Sequence, residues 1–128
     1  MRRIQPKSVE ECPVEITLRH IGGAWKALII YHLASEGRHR HSELMRRLSG
    51  VTAKILTQQL REMERDGLVQ RRVYPEVPPR VEYKLTARGE TLRPIIDAMC
   101  SWGTKQGQAM KDQNKLEQKG LRTPASQY

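Results

Sequence analysis

Residues 42–86 read SELMRRLSGVTAKILTQQLREMERDGLVQRRVYPEVPPRVEYKLT. The rhythm of apolar residues changes three times along this stretch. Ser42 is a candidate N-cap with Glu43 in the first turn, which predicts a helix to about Leu48 that buries Leu44 and Leu48. SGVT is a short turn containing glycine, and Thr52 is the next N-cap candidate. From Ala53 to Asp66, Leu56, Leu60 and Met63 recur at i, i+4 and i+7, the buried face of a core helix that Gly67 stops. The period then shortens to two. LVQRRVY and RVEYKLT read as strands, with Val81, Tyr83 and Leu85 alternating.

The flanks are helical. Residues 1–11 read as a flexible basic arm. Pro13 suits a first helical turn, and Val14 to Ile21 reads as a short helix broken by Gly22 and Gly23. Ala24 to Ser35 is expected to be a core helix with Trp25, Leu28, Ile29, His32 and Leu33 on one broad face, ended by Gly37. Downstream, Thr86 is expected to cap one long helix from Ala87 to about Gln113. Its stripe of Leu92, Ile95, Ile96, Met99 and Trp102 is too apolar for a lone terminal helix and implies burial against another subunit. Residues 114–128 are polar, and no internal repeat occurs. The expected organisation is an arm at 1–11, a domain at 12–107 that includes a C-terminal dimerisation helix, and a helix end with polar tail at 108–128. The fold class is α+β, mainly α. Helix, turn, helix and two-stranded hairpin make a winged helix-turn-helix.

Lys and Arg number 23 against 14 Asp and Glu, a formal charge of +9. That balance favours an anionic partner. Two cysteines without metal spacing argue against a disulfide scaffold. The N-terminus lacks the apolar segment of a signal peptide, and the longest apolar run is far too short to span a bilayer. The expectation is a soluble, cytoplasmic protein with no membrane partner.

The outward stripe of the Ala53–Asp66 helix carries Lys54, Thr57, Gln58, Arg61 and Arg65, with Glu62, Glu64 and Asp66 gathered at the C-terminal end. A helix N-terminus bearing Lys, Gln and Arg suits the major groove: its dipole attracts phosphate, and its donors reach base-edge acceptors. Between residues 38 and 61, Arg38, Arg40, Arg46, Arg47, Lys54 and Arg61 face the single acid Glu43. Such a stripe on its own is usually only a solvated face; the order of elements around it points to double-stranded DNA.

CPVEITLRHIGGAWKALIIYHL, the 48–92 region and the later Trp102-Gly103 together resemble the HxlR-type family of bacterial transcriptional regulators, relatives of the MarR group. The resemblance covers about residues 12–103, through IGGxWK, LxxxLREMExDGLV and VPPRVEYxLT. Ala24 departs from it, standing where the family commonly has Lys, which removes one potential phosphate contact. The resemblance implies a homodimer built from N- and C-terminal helices, in which Ile95, Ile96, Met99 and Trp102 are the candidate interface. It implies two recognition helices (Thr52–Asp66, with Thr52, Lys54, Thr57, Gln58 and Arg61) reading half-sites of a pseudo-palindromic operator. Residues 42–48 become the supporting helix, and residues 72–81 the wing. Arg38, Arg40, Ser42, Arg72 and Arg80 are then candidate contacts of the support helix and wing, and Arg80 is the wing arginine. Pro75, Pro78 and Pro79 stiffen the wing before it meets DNA. Glu76 is expected to point away from the groove, and Glu82 to pair with Arg71 or Arg72.

Several members of the resembled family sense oxidants or electrophiles through a cysteine at the place of Cys12. Cys12, just before Pro13 at a helix N-terminus, is therefore the candidate redox sensor for an oxidant or small-molecule signal. Cys100 is expected to pack in a core or dimer contact. His39 and His41 are expected to lie on one side of a short strand, exposed or touching phosphate, and His32 in the core. No cofactor is implied. No P-loop, Rossmann or G-x-S-x-G motif occurs, so an enzyme is not expected. The alternative is a winged-helix protein-interaction module without DNA binding.

Overall fold

Leu56, Leu60 and Met63 are fully buried, on the face their spacing assigns. The structure, a computed structural model, describes residues 12–120; the arm at 1–11 and the tail end at 121–128 lie outside the described residues. Along the chain come α1 (Pro13–Ile21), α2 (Lys26–Glu36), β1 (His39–Arg40), α3 (His41–Arg47), α4 (Ala53–Arg65), β2 (Val69–Tyr74), β3 (Arg80–Leu85), α5 (Ala87–Glu90) and α6 (Arg93–Gln118). The three strands form an antiparallel sheet in the order β1-β3-β2. By its contacts the chain divides into residues 1–96, which hold the core and the sheet, and residues 97–128, which hold the remainder of α6.

Ile29, Ile30, Leu33, Leu44, Leu56, Leu60, Met63, Leu68 and Val69 make the centre of the core. Burying such side chains contributes roughly 1.5–3 kcal/mol each. In α2 the buried set is Lys26, Ile29, Ile30 and Leu33, spaced i, i+3, i+4, i+7. Leu28, expected inside, is 44% exposed and Ile30 takes its place. The helix starts at Lys26 and not at Ala24, which leaves Trp25 at the cap, and the buried stripe runs through Lys26 and Ile30 in place of Leu28 and His32.

Local chemistry fixes the ends of α4. Thr52 Oγ1 accepts the Ile55 N–H at 3.1 Å. At the other end Gly67 adopts φ +76°, Leu68 N donates to Met63 O at 2.9 Å, and Gly67 N donates to Glu64 O at 3.0 Å. That is a Schellman ending, closed by the buried pair Met63 and Leu68. It turns the chain directly into β2. Thr86 Oγ1 caps α5 by accepting the Gly89 N–H at 3.0 Å. A Cβ on Gly89 would stand 2.2 Å from Leu68 O, so only glycine fits this approach of α5 to the start of the wing.

Two further helix boundaries differ from expectation. The cap of α3 is Arg40, and Ser42 lies inside the first turn. Pairing of His39 with Tyr83 and of Arg40 with Glu82 holds the chain extended up to Arg40, and Glu43 Oε1 then accepts the Arg40 N–H at 2.9 Å. The helix expected from Ala87 breaks at Thr91 and Leu92. Pro94 has no N–H to offer Glu90, and the chain instead closes tight i→i−3 turns from Thr91 to Arg88 and from Leu92 to Gly89. Ile96, counted among the interface candidates, is 4% exposed and belongs to the chain's own core.

Candidate nucleic-acid interface

The buried back of α4 leaves its opposite face open. Ala53, Lys54, Thr57, Gln58, Arg61, Glu62 and Arg65 line an open groove of about 670 Å³ along it. Lys54, Gln58 and Arg61 are exposed. Among the described residues, neither Lys54 nor Arg61 has an ion-pair partner. Thr57 is half-buried, its Oγ1 hydrogen-bonded to His41 Nε2 at 3.0 Å, so it ties α4 to the first residue of α3. Glu62 does not belong with the outward acids: its Oε1 accepts from Lys26 Nζ at 2.9 Å. Lys26 is 8% exposed, so this pair links α2 to α4 through a mostly buried ammonium.

Around this helix, Arg40, Ser42 and Arg46 are exposed. His39 is 2% exposed, against the expectation of a surface histidine. Its Nδ1 bonds Gly37 O at 3.1 Å and its Nε2 lies 3.3 Å from Glu36. His41 begins a helix, so the two histidines do not share one side of a strand. His32 is only half-buried, edge-on to Tyr31 with ring centroids 5.1 Å apart. Burial holds its pKa below the ordinary histidine value, and Arg47 acts in the same direction.

The wing is a six-rung ribbon in which Val69 faces Leu85 and Tyr74 faces Arg80. Its arginines are engaged. Arg80 pairs with Glu76 at 3.1 Å and with Glu82 at 3.8 Å, and its guanidinium lies 4.0 Å over the Tyr74 ring. Arg38 donates to Tyr74 Oη at 3.0 Å and lies 4.0 Å from Glu82. Glu76 therefore folds back onto Arg80 and does not point away. Glu82 serves Arg38 and Arg80, while Arg71 is 3.6 Å from Glu64. Lys26, Glu62 and Tyr74 escaped sequence reasoning. An aromatic placed between Arg72 and Arg80 across the ladder was the available signal for Tyr74.

Cys12 occupies the N-cap position of α1, and both Cys12 and Cys100 are exposed free thiols. Cys100 therefore does not pack in a core of this chain. Among the described residues, no group of three or more His, Cys, Asp and Glu is placed to hold a metal ion, and no helix is long and apolar enough to cross a membrane.

A capped, externally basic helix beside a three-stranded winged sheet defines the class: a winged helix-turn-helix protein. The family model described as HxlR-like helix-turn-helix matches residues 20–111, and the chain belongs to that family. It is 51% identical over 96 residues to the uncharacterized HTH-type transcriptional regulator YdeP of Bacillus subtilis, covering 75% of this chain and 74% of the relative. An uncharacterized HTH-type transcriptional regulator of Methanothermobacter thermautotrophicus is 50% identical over 96 residues, 75% of this chain and 72% of its own length. Among solved structures, the redox regulator HypR in its reduced form matches with a TM-score of 0.73 and 46% identity, over 79% of this chain and 99% of that one. Its oxidized form matches at 0.70 and 50%, over 73% and 96%.

Proposed function

We propose that the chain represses transcription as a homodimer bound to a pseudo-palindromic operator, with α4 in the major groove of each half-site. The observation that carries this is the outer face of α4, where Lys54, Gln58 and Arg61 stand exposed on a helix fixed from behind by its core. Thr52 and Thr57 border that face. Arg38, Arg40, Ser42, Arg72 and Arg80 are the phosphate contacts. Exposed Val14, Ile16 and Leu18 on α1, and Ile95, Met99 and Trp102 along α6, support a dimer, because a soluble monomer rarely leaves so many large apolar side chains uncovered.

Cys12 caps α1, one of the helices with this exposed apolar surface. Its exposed thiol, and the likeness to a regulator solved in reduced and oxidized forms, support Cys12 as the sensor of an oxidant. If so, Cys12→Ser binds the operator like the parent but no longer responds to diamide or peroxide.

The central test is binding to the intergenic DNA beside the chain's own gene, read by fluorescence anisotropy. Gln58→Ala or Arg61→Ala should cost about 1–3 kcal/mol at one base pair and relax the preference there. Arg72→Ala should weaken all duplexes alike and lower the salt slope by about one. Parent-like binding by all three variants sinks the reading in favour of a protein-interaction module.

A further inference from the structure

Tyr74, the last residue of β2, collects three arginines. Arg38 donates to its hydroxyl at 3.0 Å, and the guanidinium carbons of Arg80 and Arg72 lie 4.0 and 5.0 Å from its ring centroid. Two carboxylates complete the cluster, and they differ in kind. Glu82 lies within β3, its side chain is 17% exposed, and it is shared by Arg38 and Arg80. Glu76 belongs to the turn, its side chain is 52% exposed, and among the described residues its one ion pair is with Arg80 at 3.1 Å. It reaches Arg80 because the Glu76 N–H donates to Tyr74 O at 2.8 Å, a three-residue turn over Pro75 that folds the tip back on the strands. Arg80 Nε is buried and has no hydrogen-bond partner among the described residues.

We propose that Glu76 is a built-in competitor of DNA phosphate: it occupies Arg80 in the free chain and yields that position to a backbone phosphate oxygen on binding. This inference rests on the DNA-binding reading above. A carboxylate and a phosphate present a guanidinium with the same kind of acceptor, so the exchange preserves the stack of Arg80 on Tyr74 and its pairing with Glu82. Glu82 cannot play this part, because it is mostly buried and holds two arginines at once. Glu76 can, because an exposed ion pair is weak, whereas each phosphate neutralised also releases counterions. Glu76 thus keeps the wing arginine oriented and lowers its pull on every duplex alike, leaving the choice of sequence to α4.

The test is a double-mutant cycle on the full chain, with Glu76→Gln and Arg80→Ala alone and combined. Binding is measured to the operator fragment and to an unrelated duplex at several salt concentrations. Glu76→Gln should tighten both complexes by about two- to fivefold per wing, the span of an exposed ion pair, and leave the ratio between them unchanged. In the Arg80→Ala background the gain should vanish. An equal gain in that background means simple long-range repulsion and overturns the proposal, as does no gain from Glu76→Gln while the parent binds. If the parent shows no salt-dependent binding to any duplex, the DNA-binding reading falls, and this one with it.

Discussion

The outer face of α4 and the wing are both basic surfaces, yet they are ordered in opposite ways. On α4 the backbone is fixed from behind, by Leu56, Leu60 and Met63 in the core and by Thr52 and Gly67 at the ends, so Lys54, Gln58 and Arg61 need no partners. The wing has little core beneath it: residues 70–73 of β2 are exposed, and Val73 is 54% exposed. It is ordered by its own side chains, with Arg38, Arg80, Tyr74, Glu76 and Glu82 linked around one ring. A packed helix can leave its charges free for a ligand. A projecting ribbon has to engage its charges internally, and must release some of them to bind.

The largest effect should come from removing the packing behind α4. Leu60→Ala, at a site 1% exposed, should cost about 2–5 kcal/mol in urea unfolding, while Val73→Ala on the ribbon should stay within about 0.5 kcal/mol. Comparable losses at the two sites would mean that the wing is as packed as the helix. Next in size is the charge pair that joins α2 to α4. Glu62→Gln leaves the Lys26 ammonium, mostly buried, without its carboxylate, and should cost about 1–3 kcal/mol; Glu62 itself is partly exposed, which moderates the loss. Because Glu62 lies one turn beyond Gln58, the same variant should also weaken operator binding by shifting α4 in its seat.

A smaller effect belongs to the wing tip. Pro78→Gly combined with Pro79→Gly should leave the unfolding midpoint nearly unchanged and weaken binding to all duplexes by about two- to fivefold, since each flexible position adds to the order lost on binding. A loss confined to one sequence would place the tip in base readout and not on the phosphates.

What could be read in advance follows the same division. The α4 stripe and both of its ends were legible, because a 3.6-residue period, a threonine cap and a stopping glycine are local signals. The break before α6 was legible too, had Pro94 been given its weight. Lys26 was not, because a lysine on a core stripe reads as surface until Glu62, 36 residues away in sequence, is placed beside it. The pairing of β1 with β3 was not, since two residues carry no period that would show which face is covered, and so His39 was assigned to the surface. The wing pairings of Glu76 and Glu82 depend on ladder register and on the turn over Pro75, which composition does not specify.

The smallest expected effect is a pH dependence within the packed half. His32 lies near Glu36, His39 and Arg47, and its folded pKa is lowered by burial first and by Arg47 next, with His39 adding to the fall and Glu36 opposing it. The folded chain therefore holds fewer protons at this site than the unfolded one. Stability from His32 is fully present above the ordinary histidine value of about 6.5 and is lost as pH falls through the lower folded value. Thermal midpoints at pH 7.5 and 5.5 should differ more for the parent than for His32→Gln, with the parent favoured at the higher pH. An equal change in both would show that the pH response of the packed half arises elsewhere.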